Sequence, residues 1–552
     1  MKLQNLGGPM NQRKSFCLSL AVAVYAVLLV PSATAQVTVS TYHNDNYRTG
    51  WNNQETQLTP GNVGSSSFGL LHTIALDDQV DTQPLFVPNV TIAGHTHDVV
   101  YVATEGNTIY AIDANSGAVV LSQNFGPPVP QSYLPGACNN NGPNVGINST
   151  PVIDISSGTM YVITYTLAGS QTYHIHALSL STLTDQVTPV VISASHKLAK
   201  GKEFLFNASV QRQRPALLLA NGNIYAGFGS FCDINANLSR GWLLGWAAGT
   251  LTPLSANLLT DREASSPDEF FLSSIWMSGY GIAADPNGNL FFVTGNSDYS
   301  GTTYNHATNI AESVVKVNPA LGRLNYFTPS DEASLDQSDA DFGSGGILLL
   351  PQQPGPIPNL AVAAGKDGNM YLMNQERLGG YSPSVNHVVG TYGIGGCWCG
   401  QSYYVDPSDN TARVVSSGGN TVGIWRVQTH PHVALLNVSN SASLNSGQDP
   451  GFFTSISSNG TSNPIIWAVG RPFNKTHNVT LYAFDPEQGG SSLTQIYSGT
   501  AGNWPNLGGN ANLVPVVANG HVFVASYRTL DIFGLGGTSK SPGGPSSGAF
   551  DH

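Results

Sequence analysis

A short strand-like segment with an aromatic centre recurs along the chain: "DVVYVATEG" around Tyr101, "GTMYVITYT" around Tyr161, "GNIYAGFGS" around Tyr225, "NLFFVTGN" around Phe292, "GNMYLMNQ" around Tyr371, "PIIWAVGR" around Trp467 and "GHVFVASY" around Phe523. The centres are 60, 64, 67, 79, 96 and 56 residues apart. The 96-residue gap has room for one more unit, and "TARVVSSGGNTVGIWRVQ" at 411–428 can supply it, which makes about eight. Each clear segment is followed by a turn and a second strand that ends in a tight turn, as in "NTIYAIDANSG". A sheet unit this small cannot bury both faces alone. Radial stacking buries them, and propellers do so with roughly 4–8 four-stranded blades. The expected fold is all-β: an eight-bladed β-propeller of four-stranded antiparallel blades, with seven blades as the alternative.

Composition points the same way. Charged residues make up 10% of the chain, against roughly 25% in ordinary globular proteins. Gly and Pro number 61 and 33, and no amphipathic helical pattern of useful length interrupts the strands.

The first 35 residues read as a secretory signal peptide, because Arg13 and Lys14 precede the apolar run Phe16 to Val30 and "PSATA" supplies a small-residue cleavage site. The expected location is secreted or periplasmic, with no membrane span. The expected domains are the signal peptide at 1–35, the propeller at 36–536 and a disordered Gly/Ser/Pro-rich tail at 537–552. Without the leader, 18 basic residues face 33 acidic ones. So acidic a chain argues against nucleic acid or an anionic membrane as a partner. Four cysteines remain, Cys138, Cys232, Cys397 and Cys399. A Cys138–Cys232 bridge is a hypothesis. A bridge between Cys397 and Cys399 strains the usual disulfide geometry, so a tight turn with Trp398 packed at the propeller end, or distant pairing, is expected instead.

The segment "YVATEGNTIYAIDANSGAVVL" resembles the repeat of quinoprotein-like propellers, with Ala111, Asp113, Ser116 and Gly117 matching and Leu121 where that repeat carries tryptophan. "TYHNDNYRTGWNNQETQLTPGNV" resembles the N-terminal entry of quinoprotein dehydrogenases. Further on, "FFVTGNSDYSG", "SDADFGSGG" and "AAGKDGNMYL" follow in the order of that family's site motifs. The resemblance implies that Asn296 and Asp341 are calcium ligands, that Asp341 is also the base that takes an alcohol proton, and that Lys366 contacts pyrroloquinoline quinone. A hard cation with oxygen ligands would polarise the quinone carbonyl, so the set is chemically coherent.

Three departures weigh against that activity. The family's adjacent cysteine pair over the quinone has no counterpart, since Cys138 stands alone. Gly279 stands where a floor tryptophan belongs, with Trp276 three residues early. No glutamate precedes Arg240 as a further calcium ligand, although Asp233 or Asn235 can substitute. In "DQSDADFGSGG", Asp336 and Asp339 read as solvent-facing loop residues. The pairs His95/His97, His174/His176 and His430/His432 can each share a strand face but lack a third ligand nearby in sequence, and read as ordinary residues rather than metal sites.

Whether the protein is an enzyme stays open at this level. The leading expectation is an exported binding or scaffold propeller whose central face takes a protein, glycan or small molecule. The alternative is a calcium- and quinone-dependent dehydrogenase of alcohols or sugars.

Overall fold

The computed structural model describes residues 36–140, 142–235, 238–263, 272–297, 304–444, 451–472, 476–488, 490–506 and 513–537. The expected signal peptide, and all of the expected tail except Gly537, lie outside them.

Eight antiparallel sheets of four principal strands follow one another, as expected; seven blades are not what forms. Blades 1 to 7 run 85–124, 152–191, 211–259, 283–327, 347–393, 402–440 and 453–503, and blade 8 runs 516–535. The candidate unit at 411–428 is blade 6. Blade 8 takes its fourth strand from far upstream, where Phe68–Gln79 pairs with Tyr527–Leu535. The segment "VTVSTYH", further upstream, is not the strand that closes blade 8 and has another task, described below.

Alternation along each strand explains the stacking. In His95–Ala103 of blade 1, Val100 and Val102 pack with Phe523 and Ile532 of blade 8. Val99, Tyr101 and Ala103 point the other way, onto Ile153, Met160 and Val162 of blade 2. The recurring aromatic centres fill gaps between blades: Tyr101 faces blade 2, whereas Tyr371 of blade 5 packs back against Phe327 of blade 4. The outermost strand of blade 1, Val119–Asn124, is mostly exposed. The repeat's Asp and Gly close turns as expected: the Asp113 carboxylate accepts the Ser116 amide at 2.8 Å, and Gly117 sits at φ 71°.

Residues 39–52 run round the inner strands of all eight blades in order. Val39 bonds Phe86 of blade 1, Ser40 accepts from Ile153 of blade 2, and the Asn46 side chain donates to Leu219 of blade 3. Asn46, Tyr47, Thr49 and Gly50 carbonyls accept from Ala284, Leu349, Tyr403 and Ile456 of blades 4 to 7. The Asn52 side chain donates to Val517 of blade 8. The "TYHNDNYRTGWN" stretch therefore plugs the propeller axis. The following "TPGNV" is helix α1 (Pro60–Val63), capped by Thr59 and Asn62 in reciprocal hydrogen bonds.

Candidate functional site

Within a blade, the turn between second and third strands and the connection to the next blade lie at the same end. Those segments of blades 3 to 5 converge on one pocket, lined by residues including Ser230, Asp233, Trp276, Asp341, Lys366 and Trp398, together with Cys232, Asp339, Asn140 of the blade 1–2 connection and Arg212 of the first strand of blade 3. The pocket encloses about 510 Å³ of empty space, counting its open mouth.

Asn296, Asp341 and Lys366 are brought together. Asp341, almost wholly buried, accepts the Asn296 backbone N–H through Oδ1 at 2.7 Å and the Lys366 ammonium through Oδ2 at 2.7 Å. Lys366 also donates to the Asp339 carbonyl at 2.9 Å. Its Nζ lies 4.6 Å from the Trp398 ring centroid and 5.9 Å from that of Trp276. The Asn296 side-chain amide donates to Asp339 Oδ1 at 3.2 Å. Gly295 makes this approach possible: a Cβ there would lie 2.8 Å from both Asp341 Oδ1 and Trp276 Nε1.

Burial and neighbouring charge act on the acids Asp233 and Glu312 of the site. Asp233 is exposed at the rim, yet the protein packed round its carboxyl is the largest influence on it. That desolvation, with repulsion from Asp341 and Asp339, pushes it up to about 6. Glu312, fully buried behind Asp341, accepts the Phe342 N–H at 2.6 Å through Oε2, while its Oε1 has no hydrogen-bond partner. Burial, then the charges of Asp341 and Asp336, holds Glu312 well above the usual carboxylate range. Burial works against the Lys366 charge, but Asp341 and Asp339 outweigh it and its pKa is raised.

The structure corrects several sequence expectations. Asp336 is not a solvent-facing loop residue; it is buried on helix α2 (Glu332–Ser338), where its Oδ1 accepts the Ser297 N–H at 3.0 Å. Asp339 is exposed, as expected, at the helix's left-handed C-cap. Trp276 is not too early to line the pocket, because Met277, Ser278 and Gly279 all take positive φ and loop the chain back. The hypothesised Cys138–Cys232 bridge does form, so a disulfide lines the pocket although no adjacent cysteine pair is present, and its residues are 94 apart. Cys397 and Cys399 bond each other after all, with Cα atoms 5.0 Å apart, and present Trp398 between them to the pocket. Asp233 lines the pocket and Asn235 does not. Arg212 and Glu312 escaped sequence reasoning because neither lies in a motif.

The histidine pairs hold no metal cluster among the described residues. His97 pairs with Asp113 at 2.8 Å and His176 with Asp185 at 3.0 Å.

Does the donor set fit the groups the resemblance implies? For a quinone, the wall and charge are suitable: two tryptophans, a disulfide sulfur, and the cations of Lys366 and Arg212. For calcium the arrangement does not fit. Both Asp341 oxygens already accept N–H donors, and the Asn296 amide is turned to Asp339. Among the described residues no three acidic, His or Cys side chains converge as metal ligands.

The chain folds as an eight-bladed propeller of the kind seen in solved quinoprotein dehydrogenases. Three solved structures share it: the quinohemoprotein alcohol dehydrogenase of Comamonas testosteroni (TM-score 0.58, 13% identity, 92% of this chain and 82% of that one), a quinohemoprotein alcohol dehydrogenase of Pseudomonas putida HK5 (0.56, 14%, 93% and 82%) and a europium-containing methanol dehydrogenase (0.57, 11%, 90% and 98%). No protein-family model matches the chain, and no curated protein matches it in sequence. Likeness at 11–14% identity establishes the fold and leaves activity to be argued from the site.

Proposed function

We propose that the protein is an exported binding propeller that holds a small polar molecule in the axial pocket. The observation that carries this is the pairing of two tryptophan faces, Trp276 and Trp398, with the carboxylates of Asp233, Asp339 and Asp341 in one concave site. Apolar faces beside a few convergent polar groups are the usual makeup of a small-ligand pocket. The plug at residues 39–52 backs the axis, so the ligand enters from the rim where Asp233 and Asp339 lie. Among the described residues no helix is long and apolar enough to cross a membrane, which agrees with export to a secreted or periplasmic location.

A thermal-shift and tryptophan-fluorescence screen with monosaccharides and polyols tests this reading. At least one compound should raise the unfolding midpoint and change the emission, and Trp398→Ala should abolish both responses. A full panel without response, or a response that survives Trp398→Ala, counts against the pocket.

The second reading is a quinone-dependent dehydrogenase of alcohols or sugars, favoured by the Asp341–Lys366 pair beneath the tryptophans. In that reading a quinone would supply the two-electron oxidant, Asp341 would take the hydroxyl proton and Lys366 would position the Asp341 carboxylate through their ion pair. Incubation with pyrroloquinoline quinone, with and without calcium, decides it: cofactor absorbance that co-elutes and alcohol-dependent dye reduction support it, and neither appearing ends it.

A further inference from the structure

We propose that the Lys366 ammonium is this site's resident cation, so that the charge a metal ion would bring is built into the chain and the site is metal-independent. The inference holds whichever ligand the pocket takes.

An ammonium has three donors and no acceptor. Around Lys366 Nζ lie Asp341 Oδ2 at 2.7 Å, the Asp339 carbonyl at 2.9 Å and Asp339 Oδ2 at 3.3 Å. The open side is roofed by Trp398, with Trp276 further off, and both rings attract a cation. The side chain is only 14% exposed, so the charge is held inside the site rather than tethered to its surface. Asp341 is fixed from the other side by the Asn296 backbone, and the Lys366 N–H itself donates to the Asp341 carbonyl at 3.0 Å. Lysine and aspartate are thus locked to each other through both main chain and side chain.

A calcium ion needs roughly six to eight oxygens at about 2.3–2.6 Å. To bind here it would have to displace the ammonium from Asp341 and Asp339 and then sit beside the expelled positive charge. Removing the lysine charge reverses the balance. It leaves the Lys366 partners, the carboxylates of Asp341 and Asp339 and the Asp339 carbonyl, without the ammonium they surround, which is a hard-oxygen set suited to calcium or a trivalent lanthanide.

The test uses the mature protein and Lys366→Met, with calcium and lanthanum as the probes. The wild-type unfolding midpoint should be the same in EDTA, calcium and lanthanum, and calorimetric titration should show no saturable metal binding. Lys366→Met should unfold earlier in EDTA, recover with either ion, and bind at least one of them at least about tenfold tighter than wild type. Saturable, stabilising binding of either ion to the wild type overturns the proposal. A folded Lys366→Met variant that ignores both ions overturns it equally. Should that variant fail to fold, Lys366→Gln replaces it, and the wild-type titration stands as a test by itself.

Discussion

At the scale of single residues, the clearest signal is the carboxyl pair of Glu332 and Asp336, one turn apart on helix α2 and both buried. Desolvation is the main cause for each. It raises Glu332 to about 7, and it combines with the Glu332 charge to raise Asp336 to about 9. A carboxyl whose folded pKa is raised stabilises while protonated. Its contribution is complete below the unfolded value near 4 and is lost as pH rises through the folded value. The thermal midpoint should therefore fall between neutral pH and about pH 9, and Asp336→Asn, neutral throughout, should flatten that slope. A wild-type profile flat across that window would sink the assignment. These residues also show where the sequence stopped being legible. Asp341 and Lys366 lie in motifs with Gly neighbours, and their meeting could be foreseen. Asp336 could not, since "EASLDQS" is too short to display a helical period and its three nearby acids look equivalent. Trp276 was visible as a tryptophan, but its position depends on three successive left-handed residues, two of them not glycine.

At the scale of elements, the segment 39–52 does most to hold the site. Its centre is Arg48, fully buried, whose guanidinium donates to the Ile282 carbonyl at 2.6 and 2.8 Å, to Thr41 Oγ1 at 2.7 Å and to the Tyr42 carbonyl at 2.8 Å. Tyr280 extends the link to the pocket: its hydroxyl, a single donor, lies between the carbonyl oxygens of Arg48 at 3.0 Å and Gln401 at 2.9 Å, so the loops bearing Trp276 and Trp398 are tied to one plug. Gly400 accommodates that ring, because a Cβ there would lie 1.8 Å from Tyr280 Cε2. Arg48→Met keeps the length and removes the donors. Each carbonyl left buried without a partner costs about 1–3 kcal/mol, so the variant should lose about 3 kcal/mol or more. The denaturant midpoint reports the loss, with the slope unchanged if the fold is retained. A variant as stable as the parent would mean the plug is not held by Arg48. The sequence showed this stretch as an unusual entry motif, but not that its carbonyls and side chains visit every blade, because no periodicity marks a segment that pairs one residue at a time.

At the scale of the whole molecule, eight blades form a ring only if the last is joined to the first, and here strands whose paired residues Thr73 and Asp531 are 458 positions apart make the join. Thr73 of the upstream strand donates to Asp531 of the final one at 2.6 Å, and the two strands pair from Phe68/Leu535 to Gln79/Tyr527, interrupted by two register shifts. Strand recurrence made the ring legible, whereas the choice of closing strand was not: Phe68–Gln79 reads as one apolar-alternating run among several, and its partner is set by topology. The closure predicts sharply different truncations. A chain ending at Gly537 retains every described strand and should unfold at the wild-type midpoint. A chain ending at Ser526 loses Tyr527–Leu535, which strips blade 8 of a strand and leaves both Phe68–Gln79 and His521–Ala525 with unpaired edges. Exposed edges of that length template association between chains. The shorter chain should therefore elute as soluble aggregate or fail to yield a cooperative transition, and a monomer melting like the parent would show that the ring does not depend on this join.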